Sequence, residues 1–493
     1  MMSKVIVIGA GIAGIASAIR LRAKGYEVEV YEANSYPGGK LSDFEAAGFR
    51  FDAGPSLFTM PQLVEELFTL FNEDVKSHFA YKKLDIGCHY FYEDGTNFVS
   101  PTNIDAFADV IAAKLGEEKK SVLDYFKKSA FLYEITLPIF LQNSLHKLKT
   151  YINKKGLKGI FNLWRLNLFS TMHEVNSKRF KNAKTIQFFN RFATYNGSNP
   201  YMAPATLNII PHLEYGIGVF FPNKGMVSIT NSLVELGERH SVQFHYNQKV
   251  EQILTENARV TGVKINGHII KSDLVICNMD IYPAYKKLLP QIKMPERVKN
   301  QESSSSALVF YWGVQKEFKQ LGLHNILFSA DYKKEFDAIF NDATVDNDPT
   351  IYINITSKLK PSDAPSGAEN WFVMINVPAN TGQDWDALIA KAKENIIEKV
   401  NRLLKVDLKA YLVYEKVLDP RSIELKTSSH KGALYGTSSN DKMAAFFRHP
   451  NYSSTIEQLY FCGGSVHPGG GIPLCLLSAK ITEKLVNKKK GKE

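Results

Sequence analysis

The sequence predicts an α/β fold in which a doubly wound parallel sheet with a glycine-rich turn is interrupted by a second, α+β domain. Three observations predict it. A β-branched run, Val5-Ile6-Val7-Ile8, is followed at once by Gly9, Gly11 and Gly14 in the spacing G-x-G-x-x-G. The same order of strand, glycine turn and helix returns near the other end, in Leu459–Gly464 and then Gly470-Gly471-Ile472-Pro473. Between them the glycine fingerprints stop near Tyr81 and alternating strand-like pieces take over, the mark of a different domain.

Each part of the opening unit has a physical task. An apolar β-branched run suits a parallel strand buried on both faces. Gly9 permits the strand-to-helix turn, Gly11 lets backbone approach a pyrophosphate, and Gly14 lets the helix lie close on the strand. The helix expected from Ile12 to Lys24 begins with Ile12 and Ala13 at the phosphate end and packs through Ala18 and Leu21. Its free N–H groups and positive dipole end make an anion cradle. Gly25 ends that helix, Glu27–Tyr31 is the second strand, and Glu32, followed by Ala33, places a carboxylate to accept from adenosine ribose hydroxyls. An acid there opposes a 2′-phosphate. Gly38-Gly39-Lys40 adds a glycine pair and a cation suited to phosphate or ribityl oxygens.

Composition bounds the rest. With 493 residues, 44% of them hydrophobic, the chain can bury a large core. Cys88, Cys277, Cys462 and Cys475 are scattered, so reduced thiols are expected, with no disulfide framework and no metal site. The first apolar run is broken by the glycine turn and lacks a cleavage site, so it reads as a strand and not a signal peptide. No uncharged apolar run approaches the roughly twenty residues that span a bilayer. A cytoplasmic protein with, at most, peripheral membrane contact follows as the expectation.

Past Lys40, Gly48–Asp52 reads as a short strand entering the turn Gly54-Pro55-Ser56-Leu57, and Pro61–Phe71 as an amphipathic helix. Five segments are expected: cofactor domain at 1–80, 225–290 and 425–493, and substrate domain at 81–224 and 291–424. In the middle, a helix over Ser228–Glu238 precedes a compact set of strands, Val242–His245, Lys249–Leu254, Arg259–Ile265 and His268–Ile270. Ser272–Cys277 is again of the buried type. Ala307–Gly313 and Trp371–Val377 are strands, and Trp385–Leu404 a long helix.

Charge is local. Residues 147–191 hold eleven Lys and Arg, from Lys147 to Arg191, against the single acid Glu174, a net +10 that equals the formal charge of the whole chain. Tyr151, Ile152, Phe161, Leu163, Trp164 and Phe169 are interleaved. Apolar-plus-basic composition of this kind suits an anionic lipid interface, and its aliphatic density fits lipid better than nucleic acid. A solvated basic face over an ordinary core is the alternative.

The N-terminal residues resemble the FAD-binding stretch of the glutathione-reductase-like flavoproteins, a Rossmann-type fold whose pattern runs from the acid on to Gly-Gly-Arg or Gly-Gly-Lys. With Val466-His467-Pro468-Gly469-Gly470-Gly471-Ile472-Pro473 also in view, the chain resembles the bacterial carotenoid desaturases of the phytoene-desaturase family, whose last motif runs His-Pro-Gly-x-Gly-(Val/Ile)-Pro. Within it, the segment after Asp52 and the basic middle are most similar to the branch acting on 1-hydroxylated carotenoids at the 3,4 bond. The resemblance implies FAD, a flavin amine oxidase/phytoene desaturase architecture, and a carotenoid taken from the inner membrane. It puts Gly54, Pro55, Ser56 and Leu57 beside the flavin and Val250 on the adenine through its backbone. It also brings Asn278, Met279, Gly463, Gly464, Gly470, Gly471 and Ile472 to the cofactor. Gly464-Ser465 stands where many flavoproteins carry Gly-Asp.

The activity so implied is removal of a hydride from one allylic carbon to flavin and of a proton from its neighbour. Phytoene desaturation, a flavin amine oxidase and a non-enzymatic lipid carrier of the Rab GDP-dissociation inhibitor type are the rivals. His467, Glu214 and His212 are the candidate proton acceptors. The sequence leaves the oligomeric state open.

Overall fold

A computed structural model describes residues 3–147, 167, 169–441 and 448–486. Its first layer is a five-stranded parallel sheet in the order Leu459–Phe461, Leu274–Cys277, Lys4–Ile8, Glu27–Tyr31, Gln243–His245. Lys4–Ile8 sits at the centre, with Ile6 opposite both Glu29 and Val275. Its period-two alternation serves two cores. Val5 and Val7 join the cluster under the helices Ile12–Ala23, Val227–Arg239 and Ile472–Leu485, while Ile6 and Ile8 join a second on the opposite face. Burial on both sides explains why this strand carries no polar residue between Val5 and Ile8.

The second layer is a seven-stranded mixed sheet, ordered Leu412–Leu418, Ser306–Val314, Glu369–Val377, Ile351–Ile355, His324–Leu327, Ile86–Phe91, Asn97–Pro101. Ser306–Val314 is buried at every position and pairs with Glu369–Val377 along its full length. Leu308, Phe310 and Trp312 point to a core shared with the helix Trp385–Leu404. Ala307, Val309 and Tyr311, one residue out of phase, point the other way. Ile104–Leu115, Lys119–Thr136 and Ala183–Asn190 enclose an aromatic cluster that includes Phe107, Phe126, Phe188 and Phe189.

Two expectations are corrected here. Gln243–His245 does not belong to the compact antiparallel set, which is the meander Val250–Glu256, Arg259–Ile265, His268–Lys271; it extends the parallel sheet beside Glu29–Tyr31. Three residues are too short for an alternating pattern to declare their partner. Arg191, counted within the basic stretch, is buried and paired to Glu214, because four aromatic rings and a carboxylate surround it better than water would. Lys184 is likewise committed, to Asp94, and Arg179 donates to the Ser121 carbonyl. Lys149, Lys154, Lys155, Lys158, Arg165 and the apolar residues among them lie outside the described residues. Among the described residues no helix is long and apolar enough to cross a membrane, and no group of side chains could hold a metal ion. All four cysteines are free thiols.

One side chain ties the parallel layer together. Asn278, just past Leu274–Cys277, accepts from Gly14 N–H at 3.1 Å and donates to the Cys462 carbonyl at 3.1 Å. It thereby joins the first helix to the last strand. Asn278→Ala should lower stability by about 2 kcal/mol, because a donor and an acceptor lose their partners together. Urea unfolding at neutral pH would measure this as a reduced midpoint with unchanged slope.

Candidate active site and cofactor cradle

A cavity of about 1410 Å³ opens at the C-terminal end of the parallel strands and continues against the seven-stranded sheet. A single small-molecule pocket spans roughly 300–1,000 Å³, so this one has room for a cofactor and a further ligand. Ile8, Gly9 and Asn278 line one end, and Val309, Tyr311, Phe372 and Met374 line the wall across from it. Leu141, Ile209 and Leu213 add further apolar surface.

The cradle is built by close backbone approaches. A Cβ on Gly14 would stand 2.1 Å from the Gly9 carbonyl oxygen, and one on Gly54 would stand 1.7 Å from that of Lys40, so neither position admits a side chain. Gly38 and Gly471 have φ of +96° and +100°, conformations that favour glycine. Two helices, Ile12–Ala23 and Ile472–Leu485, begin at Gly11 and Gly471 with no side-chain cap and no acid in the first turn. Both N-termini line the same cavity. Uncapped N–H groups at two helix ends suit an electron-rich group with phosphates at one place and a polarisable ring edge at another.

Glu32 is buried at the end of its strand. Its Oε2 accepts from Ala10 N–H at 2.7 Å and its Oε1 from Asn34, so the carboxylate is oriented with lone pairs to spare. Ile12, Ala13, Ala33, Gly39, Pro55, Leu57, Val250, Met279, Gly463, Gly464, Gly470 and Ile472 all line the cavity. Lys40 does so as well, but its ammonium donates to the carbonyls of Ala433 and Leu434, at 3.1 and 2.7 Å. Burial lowers its pKa to about 8 against the opposing pull of Asp280. These residues fit a dinucleotide with a flat ring: glycine approach, helix dipoles and a ribose-seeking acid are all present.

A match to the model of the flavin containing amine oxidoreductases spans residues 12–482. The chain belongs to that family. A 1-hydroxycarotenoid 3,4-desaturase of Flavobacterium sp. (strain P99-3) is 52% identical over 98% of this chain and 99% of its own. A 4,4′-diaponeurosporene oxygenase of Staphylococcus aureus is 32% identical over 100% of this chain and 99% of its own. Among solved structures, cyclohexylamine oxidase from Brevibacterium oxydans matches with a TM-score of 0.61 at 13% identity, covering 98% of each chain. A Rab GDI from Plasmodium falciparum matches with a TM-score of 0.54 at 15% identity, again over 98% of each chain. These two likenesses show the fold. The chain is thus a flavin-dependent oxidoreductase of the desaturase type, and FAD is its cofactor.

The three candidate proton acceptors fall in different surroundings. His467 is buried and lines the cavity; its Nε2 lies 3.0 Å from the Asn143 carbonyl, which can only accept, so Nε2 carries the hydrogen and Nδ1 is the acceptor. That Nδ1 is buried without a hydrogen-bond partner among the described residues. Glu214 also lines the cavity, but both its oxygens meet Arg191, at 3.1 and 3.2 Å, and Tyr195 donates to Oε2 at 2.6 Å. Oε2 is thereby filled, and Oε1 is held against the guanidinium. His212 is absent from the cavity wall; its ring packs on Gly216 and Tyr133.

Other polar groups in the cavity carry no motif. Arg448 sits behind the Gly469–Gly471 turn, with Nη2 on the Thr437 carbonyl at 3.0 Å and Nη1 unpaired among the described residues. His324 and Tyr352 come from adjacent strands of the seven-stranded sheet. The sequence around Arg448, His324 and Tyr352 holds no spacing that would single them out; only the register of the sheet and the late turn collects them.

Burial holds His467 neutral, with its pKa lowered to about 3. The folded state refuses a proton that the unfolded chain binds near pH 6.5. Stability from this group is therefore complete above that pH and is lost as pH falls towards 3. His467→Gln should flatten the acid limb of the stability profile by about 1.4 kcal/mol per pH unit between pH 6 and 4. Denaturant unfolding of parent and variant at half-unit intervals would read the difference in slope.

Proposed function

We propose that this protein is an FAD-dependent carotenoid desaturase that introduces the C3–C4 double bond into a 1-hydroxylated acyclic or monocyclic carotenoid. The observation that carries the reading is an apolar cavity continuous with the cofactor cradle, in a chain half identical to a protein named for that activity. On this reading residues 1–80, 225–290 and 425–493 serve the cofactor, and 81–224 and 291–424 serve the substrate.

Bound FAD supplies the hydride acceptor. The chain's own contribution is to hold, orient and keep dry. Gly9, Gly11 and Gly14 admit the diphosphate to the helix N-terminus, and Glu32 takes the ribose hydroxyls. Ile209, Leu213, Phe372 and Met374 exclude water from the polyene, so that positioning supplies much of the rate. The proton removed with the hydride goes to His467 Nδ1, an acceptor with no hydrogen-bond partner among the described residues, and the Asn143 carbonyl behind Nε2 steadies the charged ring. Glu214 instead keeps Arg191 neutralised within its aromatic surroundings.

Purified protein loaded with FAD should convert a 1-hydroxylated carotenoid in liposomes to a product absorbing at longer wavelength by one conjugated double bond. His467→Ala should keep its flavin and slow anaerobic single-turnover flavin bleaching by about tenfold to a hundredfold, the lower reach of general-base catalysis. Unchanged bleaching would return the ring to a structural part.

A carotenoid has almost no aqueous concentration, so the protein draws it from a bilayer. We assign docking at the cytoplasmic face of the inner membrane to the basic stretch 147–191, Arg179, Lys184 and Arg191 excepted, on its charge and apolar content. Each cation near an anionic leaflet contributes on the order of 1 kcal/mol. Reversal of Lys154, Lys155 and Lys158 to Glu should release the protein from anionic liposomes at low salt, as sedimentation would show. FAD content should be unaffected, and detergent-solubilised substrate should restore turnover.

A further inference from the structure

On the side of the cavity walled by Val309, Phe372 and Met374, one set of hydrogen bonds is directional. Tyr352 OH lies 2.7 Å from Ser56 Oγ and 2.7 Å from His324 Nδ1. Asn354 Nδ2, which also donates to the Leu323 carbonyl at 3.0 Å, stands 3.2 Å from the same Nδ1. An amide nitrogen can only donate, so Nδ1 is an acceptor and the His324 proton resides on Nε2. Burial keeps that imidazole neutral and keeps the Tyr352 phenol protonated. The single Nδ1 lone pair is then shared, chiefly with the Tyr352 O–H at 2.7 Å, and Ser56 must donate to Tyr352. The relay ends at a serine oxygen whose hydrogen is spoken for and whose lone pairs are open to an incoming donor.

Ser56, Tyr352 and His324 all line the cavity. Ser56 is two residues beyond Gly54, which lies against the backbone of Lys40 in the cofactor cradle. Arg191 and Glu214 line the same cavity. An apolar polyene has no use for an acceptor at this place. A tertiary alcohol does.

We propose that Ser56 Oγ, oriented by Tyr352 and His324, accepts the hydrogen bond of the substrate's C1 hydroxyl and so selects hydroxylated over unhydroxylated carotenoid ends. This rests on the functional reading above. With carbon–carbon bonds near 1.5 Å, C3 and C4 fall within roughly 3–5 Å of the anchored oxygen, so the hydroxyl fixes which bond is presented beside the cradle. Ser56 touches substrate on this view, and Tyr352 and His324 are positioning residues.

The test compares a 1-hydroxylated acyclic carotenoid with the same carotenoid lacking the hydroxyl, on FAD-loaded parent, Ser56→Ala, Ser56→Thr and Tyr352→Phe. Flavin absorbance confirms loading, and substrate Kd is read from the carotenoid's spectral shift on binding. The parent should prefer the hydroxylated substrate in kcat/KM. Ser56→Ala should lower that preference at least tenfold and weaken binding of the hydroxylated compound alone. Tyr352→Phe should lower the preference in part, and Ser56→Thr should restore it. If the parent turns over the hydroxylated substrate with a preference that Ser56→Ala leaves unchanged, the assignment is wrong and the functional reading stands. If the parent turns over neither compound, the functional reading falls and this assignment falls with it.

Discussion

The amide of Asn278 is the constraint on which the cofactor layer depends. Three glycines crowd it: a Cβ added at Gly11 would come 2.7 Å from Oδ1, one at Gly14 3.0 Å from the same oxygen, and one at Gly463 2.6 Å from Nδ2. The glycines at the two ends of the chain are therefore matched to one planar group as well as to a ligand. The amide is suited to this place because it offers one donor and one acceptor to two segments that need opposite partners. An aspartate would keep the acceptor for Gly14, lose the donor for Cys462, and set a negative charge beside a phosphate cradle. Geometry at the two turns is thus correlated: the first helix cannot slide against the last strand without breaking the same side chain's contacts.

What could be read in the sequence followed the strength of local physics. Lys4–Ile8, Glu27–Tyr31 and Arg259–Ile265 were legible because periodicity and turn residues agree there, and the helix Trp385–Leu404 carries its own Asp384 cap and apolar stripe. Gln243–His245 was not, since its partner is chosen by an edge left open in a sheet formed elsewhere. In the cavity, the glycine turns and Glu32 declare themselves through spacing. Arg191 did not: among ten neighbouring cations it has no mark of its own, and only the arrival of Glu214 and the rings of Tyr90, Phe188, Phe192 and Tyr195 makes its burial tolerable. Ser56 was expected beside the cofactor and lines the cavity, while its hydrogen-bond polarity depends on Asn354, nearly three hundred residues away.

The cavity separates two uses of buried polarity. In the pair Arg191–Glu214 the charges are met by each other and by Tyr195, although Arg191 Nε has no partner among the described residues, and breaking it from one side leaves an uncompensated charge at a cost of about 3–5 kcal/mol. His467 Nδ1 and the serine end of the Tyr352 relay are open, each an acceptor without a donor among the described residues. Closed groups hold a fold. Open acceptors in a dry, apolar space are kept only where a ligand completes them, since an unmet polar atom is costly to bury.

The parallel sheet also sets when the protein can acquire its flavin. Its five strands are drawn from residues 4–8, 27–31, 243–245, 274–277 and 459–461, and Lys40 is held by carbonyls of Ala433 and Leu434. On the ribosome, the glycine turn emerges first and waits for nearly the whole chain before its second helix, its amide brace and its lysine latch exist. The complete cradle is consequently assembled only when these distant segments have met, so flavin binding would report the joining of far-separated parts of the chain and not the folding of the glycine turn alone.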